Sequence, residues 1–222
     1  MNLQDKRVVV TGANGALGRA VVARARALGA DVVQLDIAFP ADAGADCHIV
    51  DLADAGATAA LFLNIGRVDV LMNVAGGFDM GPRTWEVTDA QWDAMFAINV
   101  RTLQNAVRAA VPGMIACGRG SIVNVGALGA LKGQGGMSAY TAAKSVVMRL
   151  TESLSAELKD QGINVNAVLP SLIDTPRNRA DMPGADYARW VGVDDLAAVM
   201  CFLGSDAARA VHGVLLPVSG LV

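Results

Sequence analysis

The chain is poor in cysteine, in aromatic residues and in charge, and each shortage excludes a class of protein. Its three cysteines, Cys47, Cys117 and Cys201, lie far apart and form no C-x-x-C pair, so neither a disulfide framework nor a zinc site is predicted. The net charge is −3, whereas a nucleic-acid-binding protein needs a basic face. We therefore expect no metal and no nucleic-acid partner. Unpaired cysteines also fit a reducing, cytoplasmic location.

Long apolar runs are missing as well. The first residues lack the apolar core of a secretory signal, and no segment approaches the roughly 20 apolar residues of a membrane span. We expect no membrane partner. Hydrophobic residues nevertheless make up 53% of the 222 residues, which is enough to offset the conformational entropy of the chain. Because linkers and repeats are absent, residues 1–222 are predicted to form a single domain.

Short β-branched runs alternate with longer Ala/Leu-rich stretches along the whole chain. This alternation is typical of α/β proteins, in which helices cover both faces of a parallel sheet. It predicts a Rossmann-type, doubly wound sheet of about seven strands. The predicted strands are residues 7–11, 31–36, 47–50, 68–74, 120–125, 164–169 and 214–218. The predicted helices are residues 16–28, 53–64, 89–117, 137–159 and 193–205.

Two irregular regions follow predicted strands. They are residues 76–87 and residues 170–192. Sites in this architecture lie beyond the carboxyl ends of the strands, so both regions are candidates for the substrate side. Pro176 and Pro183 are expected to break any helix in the second region, which we interpret as a small substrate lid.

A glycine-rich turn joins the first predicted strand to the first predicted helix. In this context glycines at such spacing predict a dinucleotide site, with a phosphate at the helix N-terminus. The alternative is a tight turn that needs glycine only for its φ angles. The candidate cofactor residues in the turn are Gly12, Asn14, Gly15, Ala16, Leu17 and Gly18.

Asp36 ends the second predicted strand, where its carboxylate can accept hydrogen bonds from a ribose diol and repel a 2′-phosphate. This favours NAD(H) over NADP(H). No Lys or Arg stands at Asn14, Ile37 or Ala38 to neutralise that phosphate, although Arg19 is a possible contributor. The alternative is that Asp36 only caps the loop that follows. Two more turns, Asp51-Leu52 and residues 73–76, would be ordinary turns if judged by spacing alone.

Tyr140 and Lys144 are one helical turn apart in a predicted helix. The Lys144 ammonium can then lie close to the Tyr140 phenol and favour its ionised form, so that the phenol donates a proton near neutral pH. With the glycine turn, the pair indicates hydride chemistry. Taken alone, Tyr140 could be a core residue and Lys144 a solvated charge. Asn99 lies inside an apolar predicted helix, where it could also bind only neighbouring backbone.

These residues occur together in motifs, and the chain resembles the short-chain dehydrogenases/reductases over essentially its whole length. The matching motifs are T-G-x-x-x-G-x-G at 11–18, N-x-A-G at 73–76, Asn99, I-V-N-V at 122–125, Y-x-x-x-K at 140–144, and Pro170 followed by Thr175. The resemblance implies that Tyr140 is the acid/base, that Lys144 lowers its pKa and holds the nicotinamide ribose, and that Asn99 anchors a relay water. It also implies cofactor contacts at Asp36, Asp51, Leu52, Asn73, Ala75, Gly76, Pro170 and Thr175.

The chain departs from the family pattern in two places. The family serine that orients the substrate is replaced by Ala127, and Ser138 is a poor substitute because it lies on another side of the helix. An oriented hydroxyl beside a developing oxyanion is worth roughly 3 kcal/mol. In addition, too few residues separate Asp36 from Cys47 for a full helix, so the helix between these strands is expected to be missing.

Both departures recur in the quinonoid dihydropteridine reductases, which the chain resembles in further motifs. The shared stretches are V-A-G-G at 74–77, Gly126-Ala127, Gly136-Met137, and a run from Leu169 to Trp190 that includes Asp174-Thr175-Pro176 and Asn178-Arg179. That branch implies NADH and a quinonoid pterin, and ketoacyl or carbonyl reduction is the other candidate. A protein of another class, a dinucleotide-binding sensor or scaffold with little turnover, stays open because of Ala127. The family also implies a homodimer or homotetramer.

Overall fold

A computed structural model describes residues 2–222, which are built around one parallel sheet of seven strands in the order β3-β2-β1-β4-β5-β6-β7. The strands are β1 Arg7–Thr11, β2 Asp31–Asp36, β3 Cys47–Ile49, β4 Val70–Asn73, β5 Gly120–Val125, β6 Ile163–Pro170 and β7 Leu215–Val218. The helices are α1 Ala16–Ala27, α2 Ala55–Ile65, α3 Asp89–Phe96, α4 Thr102–Cys117, α5 Ser138–Leu158, α6 Pro176–Asp181 and α7 Val193–Leu203. The predicted fold class is confirmed.

The apolar strands bury both of their faces. In β1, Val8 and Val10 pack with residues of α1 and α7, whereas Val9 packs with residues of α2 and α4 on the other face. All three of these valines are fully buried. This two-sided burial explains why the strands are continuous apolar runs rather than alternating ones.

Two predictions about the helices differ in outcome. The chain passes from Asp36 to Cys47 without a helix, as the short spacing predicted. The predicted single helix over 89–117 is wrong in its middle, because a π-helical turn, Ala97–Arg101, separates α3 from α4. Asn99 lies in this turn. Irregular turns of this kind inside helices are frequent at functional sites.

The expectation that prolines exclude a helix from residues 170–192 is also wrong. Pro176 is the first residue of α6. A backbone N–H at this position makes no hydrogen bond within the helix, so proline loses nothing there, and its fixed φ angle suits the helix. The Thr175 hydroxyl accepts a hydrogen bond from Asn178 N–H (3.2 Å) and caps the helix. The region is therefore a folded segment with a short helix and a 3₁₀ turn at Tyr187–Arg189.

At the amino ends of the strands, a buried carboxylate ties β1 to the residues just before β4. Asp69 accepts hydrogen bonds from Arg7 N–H (2.8 Å) and from Arg67 Nε (2.8 Å). Burial alone would raise the pKa of Asp69, but these hydrogen bonds outweigh it and the pKa is lowered. The cluster lies opposite the carboxyl ends and serves stability. Within residues 2–222, no helix has the length and apolar character needed to cross a membrane.

Candidate active site

The glycine turn between β1 and α1 is packed too closely for side chains. Gly12 has φ +62°, and a Cβ there would lie 2.7 Å from Ala75 Cα. A Cβ on Gly18 would lie 2.1 Å from Gly12 O. Gly15 precedes α1, and no side chain caps this helix. Steric need thus accounts for Gly12 and Gly18, while the uncapped N–H groups at Ala16 and Leu17 suit an anionic group.

Thr11 connects this turn to the end of β4. Its hydroxyl oxygen accepts hydrogen bonds from Val74 N–H (3.0 Å) and Ala75 N–H (3.1 Å). Thr11 belongs to the T-G-x-x-x-G-x-G motif, but the sequence predicted no role for it. The signal for this contact was a hydroxyl side chain at the end of a buried strand, since a buried hydroxyl needs a hydrogen-bond partner.

Asp36 holds the second loop against the glycine turn. Its carboxylate accepts hydrogen bonds from Asn14 N–H (2.9 Å) and Ile37 N–H (2.7 Å). Arg19 donates to the backbone oxygen of Asn14, and the Asn14 amide donates to Ala38 O (3.0 Å). Asp36 thus has the loop-capping contact that was left open as an alternative, at the carboxyl end of β2.

The remaining predicted cofactor residues fall at the same edge of the sheet, with different surroundings. Asp51 is exposed and accepts a hydrogen bond from Ala53 N–H (2.8 Å). Leu52 is buried, and its carbonyl accepts a hydrogen bond from the Asn105 amide (2.9 Å). Pro170 ends β6, a few residues before the Thr175 cap. Asp51 lies on the rim, whereas Leu52 belongs to the packing beneath it.

A buried chain of polar side chains runs under the site from β4 to α5. The Asn73 amide donates to Asn124 Oδ1 (2.9 Å), and the Asn124 amide donates to Thr151 Oγ1 (2.9 Å). Asn73 Oδ1 is buried and has no hydrogen-bond partner within residues 2–222. The sequence did not predict this chain, because its members are 51 and 27 residues apart. It fixes β4, β5 and α5 relative to one another.

Tyr140 and Lys144 lie on α5, as predicted, and burial shifts the pKa of both. Lys144 Nζ donates a hydrogen bond to Val125 O (2.9 Å), and burial lowers the pKa of Lys144 to about 8. Burial raises the pKa of Tyr140 to about 12. The role of Lys144 in lowering the phenol pKa stays a prediction. The ammonium is directed to the strand carbonyl, and desolvation of the phenol dominates.

Asn99 and Lys144 approach the same small space. The Asn99 amide donates to Gly77 O (3.0 Å), and its Oδ1 accepts from Gly77 N–H (3.2 Å). A Cβ placed on Gly76 would lie 2.9 Å from Asn99 Oδ1 and 3.2 Å from Lys144 Nζ. The structure thus brings Asn99, Lys144 and Gly76 together, and it places Tyr140 one turn before Lys144. Asn99 also donates to Met95 O (3.1 Å), the neighbouring-backbone contact left open as its alternative.

The wall beside Tyr140 is apolar. Ala127 is only 6% exposed and packs in a cluster with Ala130, Met148 and Leu169, against which Tyr140 lies. No hydroxyl stands at position 127. Ser138 Oγ is buried and has no hydrogen-bond partner in the described part of the chain. Among residues 2–222, His, Cys, Asp and Glu side chains form no group of three able to hold a metal ion.

Comparisons with known proteins show the family of this chain. The family model described as short chain dehydrogenase matches residues 6–185. L-xylulose reductase of Bos taurus is 32% identical over 99% of this chain and 97% of its own length. Carveol dehydrogenase from Mycobacterium avium in complex with NAD superposes with a TM-score of 0.87 at 28% identity, covering 99% of this chain and 98% of that one. A structure from Agrobacterium tumefaciens with bound NADP has a TM-score of 0.90 at 33% identity, covering 99% and 96%. The chain belongs to the short chain dehydrogenase family, and the prediction of an oxidoreductase is confirmed.

Proposed function

We propose that residues 1–222 form one dinucleotide-binding and catalytic domain that transfers a hydride between NAD(H) and a small C=O or C=N substrate. The observation that carries the proposal is the shared space at Gly76, bordered by Asn99 Oδ1 and Lys144 Nζ. Tyr140 lies on α5, one helical turn before Lys144. When bound, the dinucleotide supplies the hydride. Tyr140 supplies or accepts the proton, and Lys144 and Asn99 hold the reacting groups in place.

The residues at the carboxyl edge fit a dinucleotide. The uncapped N-terminus of α1 offers N–H groups to a pyrophosphate, and Asp36 stands at the end of β2 for a ribose diol. The remaining proposed cofactor contacts are Asn14, Asp51, Asn73, Ala75, Pro170 and Thr175. Asp36 supports a preference for NAD(H), because its carboxylate repels a 2′-phosphate. Relatives of both kinds exist, since similar structures contain NAD or NADP.

Affinity measurements test the cofactor preference. We expect the dissociation constant for NADH to be at least about tenfold lower than that for NADPH, a difference of about 1.4 kcal/mol. Asp36→Asn should shrink this difference by improving NADPH binding, since it removes the repelling charge. Asp160→Asn is the matched control, because Asp160 is exposed in the turn before β6 at the opposite edge of the sheet, and it should leave the ratio unchanged. Equal affinities of the unmodified protein for the two cofactors would contradict the assignment.

The apolar wall around Ala127 supports a substrate that needs no orienting hydroxyl. A conjugated C=N or C=O group, as in a quinonoid dihydropterin, delocalises the charge that forms on reduction and depends less on a single donor. An isolated ketone depends on that donor more strongly. We therefore propose conjugated, dihydropteridine-type substrates first and ketoacyl or simple carbonyl substrates second.

Oxidation of NADH with a substrate panel tests this proposal. The panel contains a quinonoid dihydropterin, a 3-ketoacyl thioester, a simple quinone and a ketose. We expect the highest kcat/KM with the conjugated members. Efficient turnover of only the thioester or the ketose would contradict the substrate class. Tight NADH binding without turnover on the whole panel would favour a sensor or scaffold instead, for which the missing hydroxyl at Ala127 is the motivating observation.

We also propose that the protein acts as a homodimer or homotetramer. Several large apolar side chains of α3 and α4 and the turn between them are partly exposed, namely Trp92, Ile98 and Ile115. Covering them in a second copy would remove apolar surface from water. Sedimentation equilibrium tests this, and a monomer at micromolar concentration would contradict it.

A further inference from the structure

Phe78 is the aromatic residue packed directly against Tyr140. It lies in the irregular segment after β4, and its ring meets the Tyr140 ring edge to face, with centroids 4.9 Å apart and an angle of 81°. Phe78 is 39% exposed, so one side of its ring faces solvent. The Tyr140 ring thus has an aromatic neighbour in addition to the apolar cluster of Ala127.

The segment that carries Phe78 is anchored on both sides of this residue. Before it, Gly77 exchanges two hydrogen bonds with the Asn99 side chain. After it, Gly81 N–H donates to Gly136 O (2.9 Å), just before α5 begins. A Cβ on Gly77 would lie 3.1 Å from Ile98 Cδ1, so the backbone has little room to shift. The position of Phe78 is therefore tied to the helices that carry Asn99 and Tyr140.

We propose that Phe78 is a positioning residue that keeps water from the Tyr140 phenol and fixes the orientation of its ring. The Asn99 amide fixes the backbone of Gly77, the residue before Phe78, through its two hydrogen bonds. The proposal rests on the catalytic role proposed for Tyr140.

The protonation of Tyr140 reports on this cover. Charged side chains on the surrounding segments are Lys144 on α5, Asp79 beside Phe78 and Lys132 in the turn after β5, but the raised pKa of the phenol has burial as its cause. Burial disfavours the phenolate because it removes water from the charged form. Removal of the Phe78 ring opens one wall to solvent. The pKa of Tyr140 should then fall toward the ordinary phenol value.

The chain allows a direct test, because Tyr140 and Tyr187 are its only two tyrosines. In a Tyr187→Phe background, tyrosinate absorbance reports Tyr140 alone, and circular dichroism at each pH verifies folding. With a pKa of about 12, roughly one tenth of the phenol is ionised at pH 11. We expect Phe78→Ala to raise this fraction to about one half, a shift of about one pH unit, and Phe78→Leu to shift it less in the same direction.

Trp85→Ala is the control, because Trp85 is 77% exposed in the same loop region and its ring contacts Arg83. This variant should leave the tyrosinate fraction unchanged. An unchanged titration in both Phe78 variants, or an equal shift in Trp85→Ala, overturns the proposal. The titration needs no turnover, so its failure is distinguishable from failure of the proposed function. In active protein, the pKa that describes the alkaline limb of the kcat/KM profile should fall by the same amount in Phe78→Ala.

Discussion

Ala127→Ser tests whether a missing hydroxyl limits the chemistry of this site. Ala127 is 6% exposed and has extended backbone, with φ −156° and ψ 135°, so a serine fits without backbone strain. If its hydroxyl points into the crevice, it can stabilise a developing oxyanion by about 3 kcal/mol, or about two orders of magnitude in rate. If it points into the apolar cluster, it is unpaired and lowers the free energy of unfolding by about 1–3 kcal/mol.

Two measurements separate these outcomes. The first is kcat/KM for an isolated ketone and for a quinonoid dihydropterin, and the second is the free energy of unfolding in urea. We expect ketone reduction to rise about 100-fold, pterin reduction to change much less, and stability to stay nearly constant. Ala130→Ser makes the same change in the same cluster and should give no rise in rate. A ketone rate that stays within about threefold of the original, with stability unchanged, would refute the reasoning.

Three further predictions concern the site and the sheet. Gly76→Ala should lower kcat by about 100-fold or more, because the new Cβ would crowd Asn99 Oδ1 and Lys144 Nζ; steady-state kinetics with a folding check by circular dichroism tests this. Lys144→Met should abolish turnover yet raise the free energy of unfolding at pH 7 by up to about 3 kcal/mol, since it removes a buried amine. This gain in the free energy of unfolding should be largest below the pKa of Lys144 in the folded state, about 8, and should vanish above its pKa in the unfolded state, 10.5. Urea titrations across this pH range measure it. Asp69→Asn should lower stability at pH 7 by about 2 kcal/mol, and the difference from the unmodified protein should shrink as the pH falls from 3.8 toward the lower pKa of the folded state, because the unfolded carboxylate binds its proton first.

The sheet was predictable because its signal is local. Continuous apolar runs such as Val8-Val9-Val10, separated by helical stretches, are required wherever a strand is covered on both faces. The missing helix before Cys47 followed from a count of residues. The π-helical turn at Asn99 was not predictable, since its apolar pattern does not differ from that of a regular helix. The helix α6 was missed because Pro176 was taken as a breaker, although proline is favoured in a first turn.

The sequence predicted which residues of the site lie near the carboxyl edge of the sheet. It did not predict the contacts that hold them there. The chain from Asn73 through Asn124 to Thr151 and the bond from Lys144 to Val125 join separate elements. No spacing in the sequence reveals such contacts. The raised pKa of Tyr140 is the clearest case, because helical spacing suggests a nearby ammonium while the degree of burial depends on the whole fold.

The most direct test of the account is the effect of Tyr140→Phe on NADH-dependent turnover, measured beside NADH affinity. The substitution removes one hydroxyl and keeps the ring that packs against Phe78. We predict that kcat/KM falls by about a thousandfold while the dissociation constant for NADH changes less than about threefold. Tyr187→Phe should retain normal activity. If Tyr140→Phe keeps more than about a tenth of the original kcat/KM, the claim that this phenol carries the proton is contradicted.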